Sequence, residues 1–438
     1  MRKSAVYPVA DFYGFKKKLI AWAENFSSAV FFDRNNYSGF NGSPQCILAT
    51  GELKPLVIPK GSTFTSIQEY FDREPDWLFG YLSYDVSREL EPSAFKHRPK
   101  KIDGIQFLPA HFYCPQHIVE IKDEHLLISS TCNPDKIMEE INSTILPKNH
   151  IDSPLQIQQR FTKQEYCEAV IKLKEHILNG DLYEINFCQE FFAEHIKAET
   201  SKLFIQLNEI NPAPFACYLK HHHRYLICAS PERFLKKTGK RVLSQPIKGT
   251  IQRDKNSEKH DKELADQLRN DPKEQSENVM IVDLVRNDLA RSCEPGSVIV
   301  DELFGIYSFP NVHQMISTVS GSLRTDCKAT DALKYAFPMG SMTGAPKVKA
   351  MELIDQYERT DRGLFSGSVG FITPEGDFDF NVVIRSLLYN SETGYLSFQT
   401  GSAITYHSIP EKEYEECLLK AAPLMEALNK LNISSFDD

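Results

Sequence analysis

The order of strand-like and helix-like segments is the feature that most constrains the fold of this chain. Short apolar or alternating segments at 29–32, 77–82 and 126–130 predict β-strands early in the sequence. Residues 162–165 predict a capping box, and the helix that it begins is predicted to end at Asn179-Gly180. Because strands and helices are interspersed without a regular strand–helix–strand alternation, the pattern favours a mixed α+β architecture.

One break in periodicity divides the sequence. Residues 144–160 contain turn-forming residues and no regular apolar pattern, so we interpret them as a linker or long connection. A chain of 438 residues also exceeds the usual size of a single domain. We therefore expect an N-terminal lobe over 1–150 and a second region over 155–432.

Composition argues against several classes of protein. The net charge is −9 and the lysine clusters are short, so a nucleic-acid partner is not expected. No apolar run reaches the ~18 residues that span a bilayer, and no signal-peptide pattern is seen. The ten cysteines are scattered without a CxxC pair, which argues against a zinc ribbon or a disulfide framework. The expectation is a protein of the reducing cytoplasm.

Two segments with helical spacing carry pairs of glutamates. Glu274 and Glu277 lie three residues apart near the start of a predicted helix and share one of its faces. Residues 408–411 predict a capping box that begins another helix. That helix places three charged residues on one stripe and three apolar residues where they can take core positions: Glu413, Glu416 and Lys420, and Leu418, Ala421 and Leu424.

The two glutamate pairs would form an oxygen-only site if they converged. Such a site suits Mg²⁺, which commonly keeps several waters and takes one or two carboxylates directly. The alternative is that each pair belongs to a solvated helix face and pairs with nearby lysines, which is the commoner fate of this spacing. The spacing alone leaves both interpretations open.

Two glycine-bearing segments and one arginine could bind an anion. Residues 337–347 place glycines and hydroxyls before a helix predicted from Val348, and backbone N–H groups at a helix entrance can hold an anion. Residues 400–403 follow a strand-like segment at 395–398 and could offer amides to a carboxylate. Arg385 could complete a bidentate clamp. Each of these is, by itself, more often a plain turn or a surface arginine.

Lys248 lies between a proline and a glycine in residues 245–250, downstream of Glu232. An amine, an acid and a group of carboxylates would suit replacement of a hydroxyl on a small anionic substrate. An isolated lysine at a strand end usually extends into solvent, so this setting alone does not assign it a role.

Together these segments resemble the chorismate-utilising enzymes, the family of anthranilate, aminodeoxychorismate, isochorismate and salicylate synthases. The resemblance covers about residues 160 to 430 and rests on four motifs in the family's order: 230–234 (SPERF), 277–288 (ENVMIVDLVRND), 340–347 (GSMTGAPK) and 416–421 (ECLLKA). The N-terminal part matches loosely. The resemblance implies an α+β fold with large mixed or antiparallel β-sheets in a sandwich-like core surrounded by helices. It also makes 155–432 the chorismate-binding catalytic region.

Lys248 distinguishes the branches of this family. Its Pro-Ile-Lys-Gly-Thr setting is similar to the aminodeoxychorismate branch, whereas the anthranilate and salicylate branches typically carry alanine there. The resemblance therefore implies amino transfer to chorismate, giving 4-amino-4-deoxychorismate for para-aminobenzoate and folate synthesis. An anthranilate synthase, which would release pyruvate, and a catalytically silent chorismate-binding subunit remain as alternatives.

The resemblance also implies roles for the matching residues. Lys248 would attack C2 of chorismate while Glu232 protonates the departing C4 hydroxyl, and ammonia would then add at C4 and expel the lysine. Mg²⁺ would be held by four glutamates, the first two directly and the others through water: Glu277 and Glu416, Glu274 and Glu413. The substrate would be bound by a further group: Arg385, Lys420, the amides of Gly401, Ser402 and Ala403, Thr343 and His313. A hydrogen-bonded structural role is the alternative for His313.

This chemistry requires two shifted pKa values. A lysine with the ordinary pKa of about 10.4 is almost fully protonated at pH 7, so burial or nearby cations would have to lower the pKa of Lys248. Glu232 must hold a proton before it can donate one, so its pKa should be raised.

The sequence departs from the family pattern at two places. Residues 401–403 replace a run of glycines, and their side chains restrict φ. Glu184 stands where the amino-transferring branches usually have glutamine and the isochorismate branch has its lysine base. The sequence also shows no cysteine segment typical of a glutamine amidotransferase. Ammonia is therefore expected from free solution or from a separate glutaminase subunit.

Overall fold

The computed structural model describes residues 2–37, 45–95, 101–122, 125–146 and 155–433, so residues 147–154 of the predicted linker lie outside the described residues. Within these ranges the strands are β1 Lys3–Pro8, β2 Ser28–Asp33, β3 Cys46–Pro55, β4 Leu78–Leu82, β5 Ala110–Lys122, β6 His125–Ser130, β7 Gln158–Gln159, β8 Glu184–Ala193, β9 Phe215–His221, β10 Arg224–Ser230, β11 Arg233–Thr238, β12 Arg241–Gln245, β13 Ile247–Gln252, β14 Ile299–Ser308, β15 Val312–Ser322, β16 Gly344–Ala345, β17 Ser368–Ile372, β18 Phe378–Asn381, β19 Ser386–Asn390 and β20 Tyr395–Ile404. The α-helices are α1 Phe12–Ala23, α2 Thr63–Arg73, α3 Ser87–Leu90, α4 Pro134–Ser143, α5 Lys163–Leu178, α6 Thr200–Ile210, α7 Glu258–Asn270, α8 Pro272–Ala290, α9 Ala329–Ala336, α10 Lys347–Tyr357 and α11 Pro410–Ile433.

The strands form two antiparallel arms that share β5. One arm runs β6–β5–β3–β2–β9–β10–β19–β20–β8, with β1 beyond β6. The other leaves β5 through β4 and runs β17–β18–β11–β12–β15, and β13 and β14 both pair with β15. Strands from both sides of residues 147–154 pair directly, as in β2 with β9 and β4 with β17. The predicted division at residue 150 therefore does not separate two independent sheets, and its place as a boundary stays a prediction.

The core has two main layers, one on each face of the first arm. Val30 of β2 packs into a cluster between the two arms, together with Phe79 of β4 and Phe380 of β18. The next residue, Phe31, faces the opposite way and packs with Phe204 of α6, in a layer that also includes side chains of α1, α4 and α11. Because successive side chains of a strand point to opposite faces, β2 is buried on both sides. A sandwich-like α+β core with outer helices is confirmed.

Local signals predicted both ends of α5 correctly. Thr162 and Glu165 form the predicted capping box of α5, and Gly180 follows that helix with a φ of +81°. Helix α8 begins after Asp271, whose side chain accepts hydrogen bonds from two amides of the first turn. Within the described ranges, no helix combines the length and the apolarity needed to cross a membrane.

Two predictions near the C-terminus are wrong. The hydroxyl of Ser408 accepts a hydrogen bond from the amide of Thr405 and donates one to the carbonyl of Ala403, so it stabilises the preceding turn and does not form the capping box. Ala421 and Leu424 are buried as predicted, but Leu418 is exposed and the neighbouring Cys417 takes the core position. Helical spacing therefore predicted the buried face of α11 with an error of one residue, since Cys417 is buried in place of Leu418.

Candidate active site

Lys248 is carried by a strand whose pairing is interrupted. The register of β13 against β15 shifts between Ile247 and Thr250, which is a bulge that re-aims side chains. Gly249 supports the bulge with a φ of +87°, and a Cβ there would lie 3.0 Å from a carboxylate oxygen of Glu274. The bulge, and the absence of a side chain at Gly249, therefore allow the segment that carries Lys248 to lie close to helix α8. The Lys248 side chain is buried there, with the residue only 9% exposed.

Glu232 lies in the connection between β10 and β11, with its main chain fixed on both sides. Its amide donates to the hydroxyl of Ser230 at 3.2 Å, and its carbonyl accepts from the amide of Val382 at 3.0 Å. Burial raises the pKa of the Glu232 carboxyl to about 7, against the opposing charge of Lys248. The direction of this shift is the one predicted for a proton donor. A small cavity beside Glu232 is lined by Pro246, Gly340 and Ser341.

The Lys248 ammonium is paired with a carboxylate that sequence reasoning had left without a role. Its Nζ donates to Oε1 of Glu184, on β8, which is 64 residues away in the chain and 2% exposed. Burial alone would lower the pKa of Lys248, but the charges of Glu184 and Glu277 outweigh it and raise that pKa. The predicted lowering of the Lys248 pKa is therefore wrong. The reason is that carboxylates, and not cations, surround the amine.

The four candidate metal glutamates lie in one neighbourhood, as the hypothesis required. Glu274 and Glu277 are on α8, Glu413 and Glu416 are on α11, and the charge of Lys273 acts on all four. Burial raises the pKa of Glu277 to about 7 and also raises that of Glu274. For Glu416, burial acts in the same direction, but the charge of Lys420 outweighs it and lowers the pKa. A carboxyl with a pKa of about 7 is only partly ionised at neutral pH, so additional positive charge nearby is needed to keep Glu277 ionised.

The donor set fits Mg²⁺, although the carboxylates are not tightly clustered. The glutamates offer only oxygen atoms, and Glu277 and Glu413 are buried. Among the described residues, three potential ligand atoms lie within 4.8 Å of one another only at Glu52, His111 and His221, so the four glutamates are more widely spaced. That spacing suits an ion that retains water and binds one or two carboxylates directly.

The cluster of Glu52, His111 and His221 is better explained by hydrogen bonding than by a metal. The two imidazoles are stacked with centroids 3.9 Å apart and planes 12° apart. Ligand lone pairs lie in the ring plane, so two stacked parallel rings do not point at one ion. His111 Nε2 instead contacts Glu52 at 2.9 Å, and His221 Nδ1 contacts the hydroxyl of Tyr81 at 3.1 Å. These contacts give each side chain a partner.

Arg385 and Lys420 both interact with Glu416. Lys420 bonds Glu416 at 2.6 Å and the carbonyl of Gly401 at 2.8 Å, which joins α11 to β20. Arg385 has a φ of +53°, an uncommon conformation for a side chain of this size, and its carbonyl accepts from the amide of Ala229. Burial lowers the pKa of Arg385, and the charge of Glu416 opposes this. A strained arginine beside a carboxylate cluster is consistent with an anion-binding role.

Residues 401–403 form part of a strand and not the predicted turn. Strand β20 continues to Ile404, and Gly401, Ser402 and Ala403 pair with Cys188, Phe187 and Asn186 of β8. Successive amides of a strand point to opposite edges, so these three amides cannot all face one carboxylate. Because β8 pairs with one edge of this segment, only the amides that point to the other edge can reach a substrate, and the substrate-binding role of the three residues stays a prediction.

Thr343 and His313 are both buried with their side chains already bonded. The hydroxyl of Thr343 donates to the carbonyl of Met339, and its own carbonyl accepts from the amide of Asn186 next to Glu184. His313 Nε2 lies 2.9 Å from a carboxylate oxygen of Asp261, and its Nδ1 lies 2.9 Å from the hydroxyl of Ser308. These contacts favour the structural alternative for His313, whereas Thr343 positions the strand that carries Glu184.

Comparison with known proteins places these features in one family. The family described as chorismate binding enzyme matches residues 34–426. The chain is 37% identical over 387 residues to aminodeoxychorismate synthase component 1 of Bacillus subtilis, covering 84% of this chain and 81% of that protein. It is 42% identical over 287 residues to the probable chloroplastic aminodeoxychorismate synthase of Oryza sativa, covering 64% of this chain but only 32% of the rice protein. The solved anthranilate synthase component I of Streptococcus pneumoniae superposes with a TM-score of 0.71 at 27% identity, covering 79% and 80% of the two chains.

Proposed function

This chain belongs to the family of chorismate-binding enzymes, and from that premise we propose that it replaces the C4 hydroxyl of chorismate by an amino group. The observation that carries the proposal is the buried Lys248, placed in electrostatic range of both a candidate acid, Glu232, and the glutamates of α8. The proposed product is 4-amino-4-deoxychorismate, a precursor for para-aminobenzoate and folate synthesis. The same activity appears in the names of the Bacillus and rice relatives.

In the proposed reaction Lys248 and Glu232 act on opposite ends of an allylic system. The neutral amine of Lys248 attacks C2, the double bond shifts, and the C4–O bond breaks as Glu232 donates its proton to the leaving hydroxyl. Ammonia then attacks C4 and Lys248 leaves from C2. A pKa near 7 suits Glu232 for this role, because the carboxyl is protonated in much of the population at neutral pH. Two displacements replace one difficult displacement, which is the advantage of covalent catalysis.

The remaining charged residues would bind the substrate's carboxylates. Arg385 and Lys420 provide cations that interact with Glu416, and the backbone of Arg385 has a φ of +53°. Mg²⁺, when held by Glu277 and Glu416 with the aid of Glu274 and Glu413, supplies a Lewis acid for a substrate carboxylate. We propose these roles from the donor chemistry and from the charge that burial of Glu277 demands.

The nitrogen source is proposed to be ammonia delivered by a glutaminase partner. The name of the Bacillus relative, component 1, supports a second component. We further propose a reducing, cytoplasmic location, with the ten unpaired cysteines as its support.

The proposal is tested by incubating the chain with chorismate, Mg²⁺ and ammonium at mildly alkaline pH. The expected result is a non-aromatic amino product without pyruvate. Anthranilate together with pyruvate would instead identify an anthranilate synthase. Absence of turnover, with retained chorismate binding, would identify a silent binding subunit.

A further inference from the structure

The bonded partner of Lys248 suggests a second role in the proposed reaction, and the inference that follows rests on that proposed function. Glu184 is the first residue of β8 and Lys248 is the second residue of β13, and the two side chains meet inside the protein. Contact between two ionised groups at 2% and 9% exposure is uncommon and costly to form. The pair is therefore unlike the exposed lysine–glutamate pairs of helix surfaces.

The main chain around Glu184 is fixed by the glycine-rich segment of residues 340–347. Strand β16 pairs with β8 so that Ala345 lies opposite Glu184, and the amide of Asn186 donates to the carbonyl of Thr343. Gly344 permits this approach, because a Cβ there would lie 2.1 Å from the carbonyl oxygen of Glu184. The carboxylate that contacts Lys248 is thus held in place by β8, which is paired with β16 at this position.

Only one oxygen of Glu184 is satisfied. Oε1 accepts from Lys248, whereas Oε2 is buried and has no hydrogen-bond partner among the described residues. A buried carboxylate that serves only to stabilise a fold normally has both oxygens bonded. The second oxygen of Glu184 therefore has lone pairs that no described residue occupies.

The charges that face Lys248 come from four parts of the fold. Five carboxylates interact with it: Glu184 of β8, Glu232 between β10 and β11, Glu274 and Glu277 of α8, and Glu416 of α11; Lys273 and Lys420 pair in turn with Glu277 and Glu416. Paired with Glu184, the amine is an ammonium ion and has no lone pair with which to attack. Its proton must leave before the reaction begins, and among the described residues the carboxylate in hydrogen-bond contact with Nζ is Glu184.

We propose that Glu184 accepts this proton and so generates the nucleophilic amine of Lys248. The protons then balance through the cycle. Transfer from Nζ to Glu184 gives a neutral amine and a carboxylic acid, and attack at C2 with loss of water consumes the proton of Glu232. When ammonia adds at C4, Lys248 leaves as a neutral amine and recovers its proton from Glu184. The new C4 ammonium returns one proton to Glu232, so chorismate and ammonia give the amino product and water.

The assignment predicts a particular pH dependence. In the wild type the resting pair and the reactive pair contain the same number of protons, so moving the proton between them introduces no pH dependence. In Glu184→Gln the amine must lose its proton to solvent, so the reactive fraction rises about tenfold per pH unit below the pKa of Lys248. The ratio of the variant rate to the wild-type rate reports the part of the pH dependence that the loss of Glu184 introduces.

The test measures the rate of the lysine–substrate adduct in single turnovers of the full chain with chorismate and Mg²⁺, without ammonium, between pH 6 and 9. Rapid quenching and intact-mass spectrometry report the adduct. The expected ratio of the Glu184→Gln rate to the wild-type rate rises about tenfold per pH unit, and Glu184→Asp partly restores the flat profile. Glutamine is the usual residue of the amino-transferring branches at this position, so the variant is expected to fold.

Glu190→Gln is the matched control, because Glu190 is another buried glutamate of β8 and is bonded to Arg160 and Tyr395. Its rate relative to wild type should not change with pH. A pH-independent ratio for Glu184→Gln would overturn the role of Glu184 while leaving the lysine adduct intact. Failure of the wild type to form any adduct would overturn the proposed nucleophile and this inference together.

Discussion

Two buried ion pairs are attached to the same strand, β8, and they are built differently. Glu184 of β8 accepts from Lys248, and its second oxygen has no hydrogen-bond partner in the part of the chain that the structure describes. Farther along, the backbone of Asn186 and Cys188 contacts the pair formed by Arg362 and Glu358. Both pairs are excluded from water, so burial does not distinguish them.

The Arg362–Glu358 pair is fully hydrogen-bonded. The guanidinium contacts both carboxylate oxygens, at 2.9 and 2.6 Å, and donates further bonds to the carbonyls of Met342 and Asn186. One oxygen of Glu358 also accepts from the amide of Cys188 at 2.9 Å. Burial would lower the pKa of Arg362, but the charge of Glu358 outweighs it and raises that pKa. This pair therefore joins Met342, in the glycine-bearing segment of residues 337–347, to Asn186 of β8.

The difference teaches that the hydrogen bonding of the carboxylate oxygens, and not the burial of the pair, separates a structural ion pair from a reactive one. A bidentate pair with every oxygen bonded has nothing to gain from moving a proton. A pair with one unpaired oxygen and other carboxylates nearby can change its protonation state at lower cost. The first pair holds the site together, and the second is available for chemistry.

The strongest way to break this comparison is Lys248→Ala. If the pair serves catalysis, the variant should lose at least about 10³-fold in amination rate, as expected for removal of a nucleophile. Intact-mass spectrometry should show no chorismate adduct. An adduct that persists in the variant would locate the nucleophile elsewhere and remove the functional half of the comparison.

Arg362→Met tests the structural half. Removing one partner of a buried ion pair leaves Glu358 uncompensated, so the free energy of unfolding should fall by about 3–5 kcal/mol. Urea denaturation measures this change, and Arg286→Met is the control, because Arg286 forms only an exposed pair with Asp283 on α8. Equal stability of the two variants would show that the Arg362 pair does not support the fold.

The sequence correctly predicted structural features that depend on residues close to one another along the chain. The start of α5 follows from the local capping of Thr162 by Glu165, and the shared face of Glu274 and Glu277 follows from helical spacing. The contact of Lys248 with Glu184 was not predicted, because it depends on two strands that are distant in sequence. For the same reason the pKa of Lys248 was predicted to shift in the wrong direction, since the carboxylates around it come from separate elements.

Strand β20 shows the same limit for main-chain structure. Residues 400–403 have the composition of a turn, yet pairing with β8 keeps them extended as far as Ile404. Tertiary pairing overrides local propensity in this segment.

A third test concerns pH and the carboxyl of Glu232, which lies in neither pair but acts on Lys248 of the first. The pKa of Glu232 is raised from 4.5 to about 7, so the folded state binds this proton more tightly than the unfolded state. Its contribution to stability is therefore largest below about pH 4.5 and decreases as pH rises to about 7, by about 3 kcal/mol in all. In Glu232→Gln this decrease should be absent. The check is the difference in unfolding free energy between wild type and variant at pH 5 and pH 7.5, without Mg²⁺. A difference that does not change with pH would show that Glu232 is not protonated preferentially in the folded protein.

The smallest expected effect comes from neutralising each glutamate in turn. In Glu358→Gln the amide cannot match the bidentate geometry of Arg362, so the unfolding free energy should fall by about 2–3 kcal/mol. In Glu184→Gln the amide oxygen can still accept from Lys248, and Glu232 and Glu277 still offset the charge of the amine, so the change should be about 1 kcal/mol or less. Urea denaturation of both variants at one pH gives the two values side by side. A larger loss for Glu184→Gln than for Glu358→Gln would reverse the assignment of the two pairs, because the under-bonded carboxylate would then be the one on which the fold depends.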